Sequence, residues 1–289
     1  MDYTFFLYLI SFCFVVHGNL FAVRDVSKQL IKVDDHMMNV DERVKQLSKQ
    51  IDDLNKQMNL VKDQINRGIT LSSEVRMAEI FNDSVKDINW LVSKNFCPSG
   101  DAANYSFLYI LFRILNECNP TSVIEFGIGQ TSKMTSQYAA YKNKDSKLVL
   151  VENDQVWIDI FKNQIAQGPN IYFLKLPVES RIFKECETTV YKDLLPNLGD
   201  MKFDLIVCDG PRGCPRYSRI GVLDLIPNYL KESFVVIIDD YHRIGERDTA
   251  REVMARLDAH NIKYGRSIYR GNRAQLIIYS ENLRFLKSL

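Results

Sequence analysis

Four short stretches of this 289-residue sequence carry residue types that could do chemistry together. The first is Thr121-Ser122-Val123-Ile124-Glu125-Phe126-Gly127-Ile128-Gly129-Gln130-Thr131-Ser132: a β-branched strand ending in an acid, two glycines one residue apart, then small hydroxyl residues opening a helix. Such a junction lets backbone approach a ligand closely and aims helix-start N–H groups at it. Thr131-Ser132 replaces the third glycine of a dinucleotide fingerprint, which argues against a pyrophosphate clamp and suits a nucleoside-type cofactor without phosphates. The second stretch is Glu152-Asn153, at the end of an apolar run, where an acid can take ribose hydroxyls. An amino-acid tail on the same ligand would bring its ammonium near Glu125. Glu125, Gly127, Gly129, Thr131, Ser132, Glu152 and Asn153 are therefore the candidate cofactor-binding set. The third and fourth stretches are Asp209-Gly210-Pro211-Arg212-Gly213 and Asp239-Asp240-Tyr241-His242-Arg243, each an apolar run ending in acid and passing into a basic loop.

The chain must deliver these stretches to one place. A helix over 105–117 ends at Asn119-Pro120, since proline disfavours helix in the residue before it. An opening strand runs into Glu125; further strands are read at 147–153, 170–176, 203–209 and 233–240, with two closing strands near 263–269 and 274–279. Helical periodicity fills 132–141, 155–166, 218–230 and 248–260. Continuous apolar strands alternating with helices predict a doubly wound, mostly parallel, Rossmann-like α/β sheet covered on both faces. In such sheets the ligand sits beyond the carboxyl ends of the strands, where Glu125, Glu152, Asp209 and Asp239-Asp240 fall.

Upstream of residue 101 the sequence reads as a device for holding that domain somewhere. Residues 3–23 are mostly apolar or aromatic, enough to cross a hydrocarbon core of roughly 30 Å. A cleaved signal peptide is the rival reading, because Val16-His17-Gly18 offers small or aliphatic residues for a peptidase, but Asp2 and the lack of an early Lys or Arg speak against it. Arg24, Lys28 and Lys32 favour the bulk of the chain on the cytoplasmic side of a membrane; a Golgi-type anchor would put it in the lumen, where the sequons Asn82-Asp83-Ser84 and Asn104-Tyr105-Ser106 would matter. Residues 24–67 carry an unbroken heptad repeat: Val26, Leu30, Val33, Met37, Val40, Val44, Leu47, Ile51, Leu54, Met58, Val61 and Ile65. A lone helix could not bury so narrow a stripe, so a self-associating coiled coil is expected, parallel if every copy is anchored at one end, as a dimer or trimer. Gly68 breaks the pattern, and a second helix over 72–94 leads to a turn at Cys97-Pro98-Ser99-Gly100. The expected division is 1–23 anchor, 24–67 stalk, 68–100 helical linker and 101–289 α/β domain.

Bulk composition narrows the field. Lys+Arg 37 against Asp+Glu 36 leaves a net charge of +1, with no long basic run, so no nucleic-acid partner is indicated. Six cysteines, Cys13, Cys97, Cys118, Cys186, Cys208 and Cys214, lack zinc-ligand spacing and read mostly as small buried hydrophobes.

Glu-x-Gly-x-Gly, the acid at the second strand's end and the acid-ended fourth strand resemble class I S-adenosylmethionine-dependent methyltransferases over about 101–280. The resemblance implies a seven-stranded sheet with a final antiparallel strand. The Asp-Gly-Pro-Arg-Gly stretch is similar to the glucuronoxylan O-methyltransferase-like, polysaccharide-modifying branch. The acids match the catechol O-methyltransferase-like pattern, which implies Asp209, Asp239 and Asp240 as ligands for Mg²⁺ or a similar divalent cation. Three converging carboxylates repel one another unless a cation or basic residues neutralise them. The second reading is accordingly a salt-bridge network with Arg212, Arg216, Arg219 and Arg243. That pattern has a Lys as general base where this chain has Arg212, whose guanidinium stays protonated and is better suited to gripping a carboxylate such as a uronic acid. His242 then stands as candidate base, or as a loop histidine with no chemical role. Together these expectations describe a membrane-tethered O-methyltransferase acting on a glycan or glycan precursor. The alternatives are a small phenolic or carboxylic acceptor, or a non-catalytic module in an anchored scaffold.

Overall fold

The protein is described by a computed structural model covering residues 3–98, 100 and 102–288; Ser99 of the expected turn and Asp101 lie outside the described residues. The chain divides into two units, 1–67 and 68–289.

Helix α1 (Tyr3–Ser84) passes through both units without interruption. Gly68 therefore does not end the stalk helix, and the helix stops at Ser84 rather than near residue 94. One glycine costs a helix only about 1 kcal/mol, which the flanking turns sustain. Near its N-terminus an 18-residue window has mean hydropathy 1.9, long and apolar enough to cross a membrane. The twelve heptad residues from Val26 to Ile65 are each 51–64% exposed, so unit 1 leaves its apolar stripe uncovered.

In unit 2, Met77, Phe81 and Val85 enter the core. Helix α2 (Tyr105–Cys118) ends on Asn119 in a left-handed conformation (φ 48°), a C-terminal cap that asparagine tolerates, and Pro120 bars continuation of the helix. Then come β1 (Ser122–Phe126), α3 (Gln130–Lys142), β2 (Lys147–Glu152), α4 (Gln155–Lys162) and β3 (Ile171–Lys175). A hairpin follows, β4 (Val178–Phe183) and β5 (Cys186–Tyr191), and a short helix α5 (Leu194–Leu198). The chain finishes with β6 (Phe203–Cys208), β7 (Leu230–Ile238), α6 (Ile244–Ala259), β8 (Tyr264–Arg270), β9 (Ala274–Ser280) and a terminal 3-10 segment.

Seven strands form one sheet in the order β3-β2-β1-β6-β7-β9-β8. The first five are parallel, and β9 inserts antiparallel between β7 and β8. Side chains alternate across the sheet with period two, so each strand feeds two cores. Val123, Leu148, Leu205, Val235 and Ile277 face α2, α3 and the end of α1; Ile124, Val149, Ile206, Val236 and Ile278 face α5, α6 and the hairpin. Both faces are covered, as the unbroken apolar runs predict.

Three local expectations are corrected. The hairpin was not anticipated: its two-residue turn, Lys184-Glu185, takes positive φ at both positions (46° and 64°), a conformation normally advertised by Asn-Gly. The helix read over 218–230 is a 3-10 turn at Ile220–Leu225, because Gly221 weakens it and Pro227 bars its continuation. Only Cys208 among the cysteines is fully buried; Cys13 and Cys97 are exposed, and all six are free. Of the two sequons, Asn104 is buried and Asn82 is exposed.

Candidate active site

The register of the parallel strands sets the site. Val151, Phe126, Cys208 and Ile238 lie side by side across β2, β1, β6 and β7. The next residue in each strand is Glu152, Gly127, Asp209 and Asp239, so those four stand level at the carboxyl edge of the sheet. The sequence order reverses between β1 and β6, the switch point where open α/β sheets bind ligands. A cleft of about 740 Å³ opens there, lined among others by Gly127, Glu152, Asn153, Asp209, Arg212 and Asp240.

The glycine turn is built by its acid. Glu125 is fully buried, and its carboxylate accepts hydrogen bonds from Thr131 Oγ1 (2.5 Å), Ser132 Oγ (2.8 Å) and Thr135 Oγ1 (2.6 Å). Burial pushes its pKa up, and the three hydroxyls pull it back only in part. Ser132 Oγ in turn accepts from Gly129 N (3.0 Å), tying the helix start to the acid. The expectation that Glu125 would face a ligand's ammonium is not met in this arrangement: its oxygens are spent on α3, and it shapes the turn from behind. Thr131, Ser132 and Gly129 likewise serve the turn and do not line the cleft. Gly127 adopts φ 85°, and a Cβ there would stand 3.3 Å from the backbone of Asp209 and Gly210. Gly129 is extended (φ −167°), with nothing within 4 Å of a Cβ. Gly127→Ala is therefore expected to lower stability by about 1–3 kcal/mol, while Gly129→Ala changes it by less than about 0.5 kcal/mol. Urea midpoints of the two variants check this contrast.

Glu152 is held in the same strict way, by Ile128 N (3.1 Å), Asn153 N (2.7 Å) and Asp154 N (3.1 Å) donating to it. Its carboxylate stays at the cleft wall beside Trp157, whose Nε1 donates to Ile128 O (2.6 Å) and braces the turn.

On the other side, carboxylate oxygens of Asp209, Asp239 and Asp240 do converge, within 4.8 Å of one another. The place between two of them is filled by protein. Arg219 Nη2 lies 3.2 Å from Asp209 Oδ1 and 3.1 Å from Asp240 Oδ2, and Arg219 Nη1 donates to Asp239 O (3.3 Å). Arg243 Nη1 adds a second contact to Asp240 (2.9 Å), and Arg273 Nη1 a third (3.7 Å). Asp239 Oδ1 accepts from Gln275 Nε2 (2.7 Å), which the antiparallel register of β9 brings opposite. Gln275 also donates to Asn104, itself bonded to Glu74 of α1, so a hydrogen-bonded chain runs from that helix to the acids. With a buried guanidinium already bridging Asp209 and Asp240, the residues as they stand do not fit a divalent ion.

Of the arginines expected to neutralise the acids, Arg219 and Arg243 do so; Arg216 pairs with Asp248 instead. Arg212 is exposed at the cleft wall with no partner among the described residues. His242 is exposed and is not among the cleft-lining residues. Asp209, half-buried, has its pKa pushed well above the carboxylate range by burial and by Asp239, against the opposing charge of Arg219. Arg219 keeps its proton: burial works against the charge, and Asp209, Asp239 and Asp240 outweigh it. Sequence reasoning missed Arg273, Gln275 and Tyr191. The first two belong to β9 and the turn before it and reach the site only through antiparallel pairing; the third ends the unanticipated hairpin.

Strand order, the antiparallel seventh strand and the glycine turn at the switch point match the seven-stranded Rossmann-like sheet that the methyltransferase resemblance implies. No protein-family model and no curated protein matches the chain. Solved structures with a similar fold include precorrin-6y C5,15-methyltransferase from Geobacter metallireducens, at 13% identity and TM-score 0.42, covering 64% of this chain and 94% of that one. Podospora anserina methyltransferase PaMTH1 in its SAH-bound form shares 12% identity, TM-score 0.38, over 72% and 88% of the two chains. The METTL16 methyltransferase domain shares 12% identity, TM-score 0.39, over 72% and 97%. These likenesses concern fold alone.

Proposed function

We propose that this chain is an S-adenosylmethionine-dependent O-methyltransferase acting on a hydroxyl of a carboxylate-bearing glycan or glycan precursor. The observation that carries the reading is the level row of Gly127, Glu152 and Asp209 along one cleft at the switch point. The residues fit such a cofactor. Glu152 offers a carboxylate at the wall for ribose hydroxyls, Gly127 leaves room for close approach, and Tyr191 Oη and Asp240 Oδ1 are buried polar atoms with no hydrogen-bond partner. When bound, S-adenosylmethionine would supply an activated methyl group. Asp209 is suited to take the acceptor's proton, because its raised pKa brings it closer to neutrality while it faces the cleft. Exposed Arg212 and half-exposed Arg243 are suited to an acceptor carboxylate, through bidentate hydrogen bonds. Incubation with methyl-labelled cofactor and a panel of uronate-bearing and phenolic acceptors, read by mass spectrometry, tests the reading. Label on a uronate-bearing acceptor supports it; label confined to phenolics replaces the acceptor class.

In the same proposal, residues 3–23 tether the chain to a membrane and the heptad stripe joins parallel copies. Mean hydropathy of 1.9 near the N-terminus supports the tether. The flanks of the stripe support parallel pairing: Asp34 and Asp41 fall on one side and His36 and Arg43 on the other. Parallel strands set opposite flanks face to face, so acid meets base, whereas antiparallel strands would set like against like. A truncated chain starting near Leu71 retains the core residues Met77, Phe81 and Val85 and is expected to sediment as a monomer while the longer chain does not.

A further inference from the structure

Tyr191 closes β5 at the floor of the cleft. Its ring stacks on Phe126, the last residue of β1, at 5.9 Å between centroids and 20° between planes. The stack fixes where the hydroxyl goes. A Cβ at Gly210 would stand 2.6 Å from Tyr191 Oη, so the residue after Asp209 is glycine where this hydroxyl passes. The side chain is 5% exposed, and Oη has no hydrogen-bond partner. A buried hydroxyl left unpaired costs stability, and native proteins rarely keep one without a use. A structural tyrosine at this position would do better as phenylalanine.

The surroundings say what would pair with it. Tyr191 shares the cleft lining with Glu152, on the wall suited to a ribose, and with Asp209, on the wall suited to an acceptor. We propose that Tyr191 is a cofactor-binding residue whose hydroxyl donates a hydrogen bond to a ribose oxygen of S-adenosylmethionine. Burial and the charge of Glu152 push the phenol's pKa well up, so the hydroxyl keeps the proton it donates. The proposal rests on the cofactor reading above and adds to it a contact from a hairpin outside the glycine turn.

Tyr191→Phe tests it in the full chain, because the ring and its stack on Phe126 are kept. S-adenosylmethionine and S-adenosylhomocysteine are titrated calorimetrically into wild type and variant, and both are melted with and without ligand. Expected is a three- to tenfold weaker Kd, as about one hydrogen bond is lost, with a ligand-free Tm equal to or above wild type. Equal Kd values in wild type and variant overturn the proposal and leave the cofactor reading standing. A variant whose ligand-free Tm falls also overturns it, since the hydroxyl then has a partner within the fold. Wild type that binds neither ligand overturns both.

Discussion

Arg219→Met is expected to lower folding stability by about 3–5 kcal/mol, which for a domain of this size moves Tm down by roughly 6–20 °C. The guanidinium is 5% exposed and touches Asp209, Asp240 and the carbonyl of Asp239 at once. Methionine fills similar volume but leaves those acids buried with only Arg243 and Arg273 to offset them. The loss is predicted to depend on pH. Without Arg219, whose charge opposes the rise, Asp209 is pushed further above its unfolded value; stability tied to a raised pKa is present at low pH and lost as pH rises through the folded value. Melting curves at pH 5 and pH 8 should therefore show the larger deficit at pH 8. Arg219→Lys, which keeps the charge and loses the fork, should fall between. A deficit independent of pH would mean that Arg219 acts through packing.

Asp209→Asn is expected to cut methyl transfer by about 10²–10⁴-fold without unfolding the protein. Asparagine still accepts from Arg219, so the neighbouring pairs survive. Wild-type Asp209 titrates above the carboxylate range because burial and Asp239 disfavour its charge. Its contribution to stability is thus full below the ordinary range and lost as pH rises through the folded value. The neutral amide escapes that loss, so Tm of the variant at pH 8 should equal or exceed that of wild type. In wild type, transfer should increase with pH as Asp209 deprotonates, and Asp209→Asn should flatten that limb. Transfer unchanged in the variant would remove Asp209 from the chemistry and return attention to His242, despite its exposed position.

The sheet was legible because its strands are continuous apolar runs; β1, β2, β6 and β7 each end in or beside an acid where the periodicity stops. Pairing was less legible. Nothing local marks Lys184-Glu185 as a hairpin turn, and with the hairpin went Tyr191. Glu125 is legible as the acid before the glycine turn, but its partners lie six, seven and ten residues on, on a helix whose phase sets them behind the strand, and nothing local announces them. The acid cluster could be read as metal ligands or as ion pairs from residue types alone. Which arginine bridges it depends on the left-handed conformation at Arg219 (φ 60°), a tertiary feature. Gly68 shows the opposite limit: a residue that interrupts a pattern need not interrupt a helix.

The cofactor assignment is tested most directly by calorimetric titration of the purified chain with S-adenosylmethionine, with S-adenosylhomocysteine as competitor. Saturable heat at one site per chain, displaced by the competitor and lost on Gly127→Ala, is the expected result. No heat and no thermal shift with either ligand would contradict it and leave a methyltransferase-like domain serving as a scaffold.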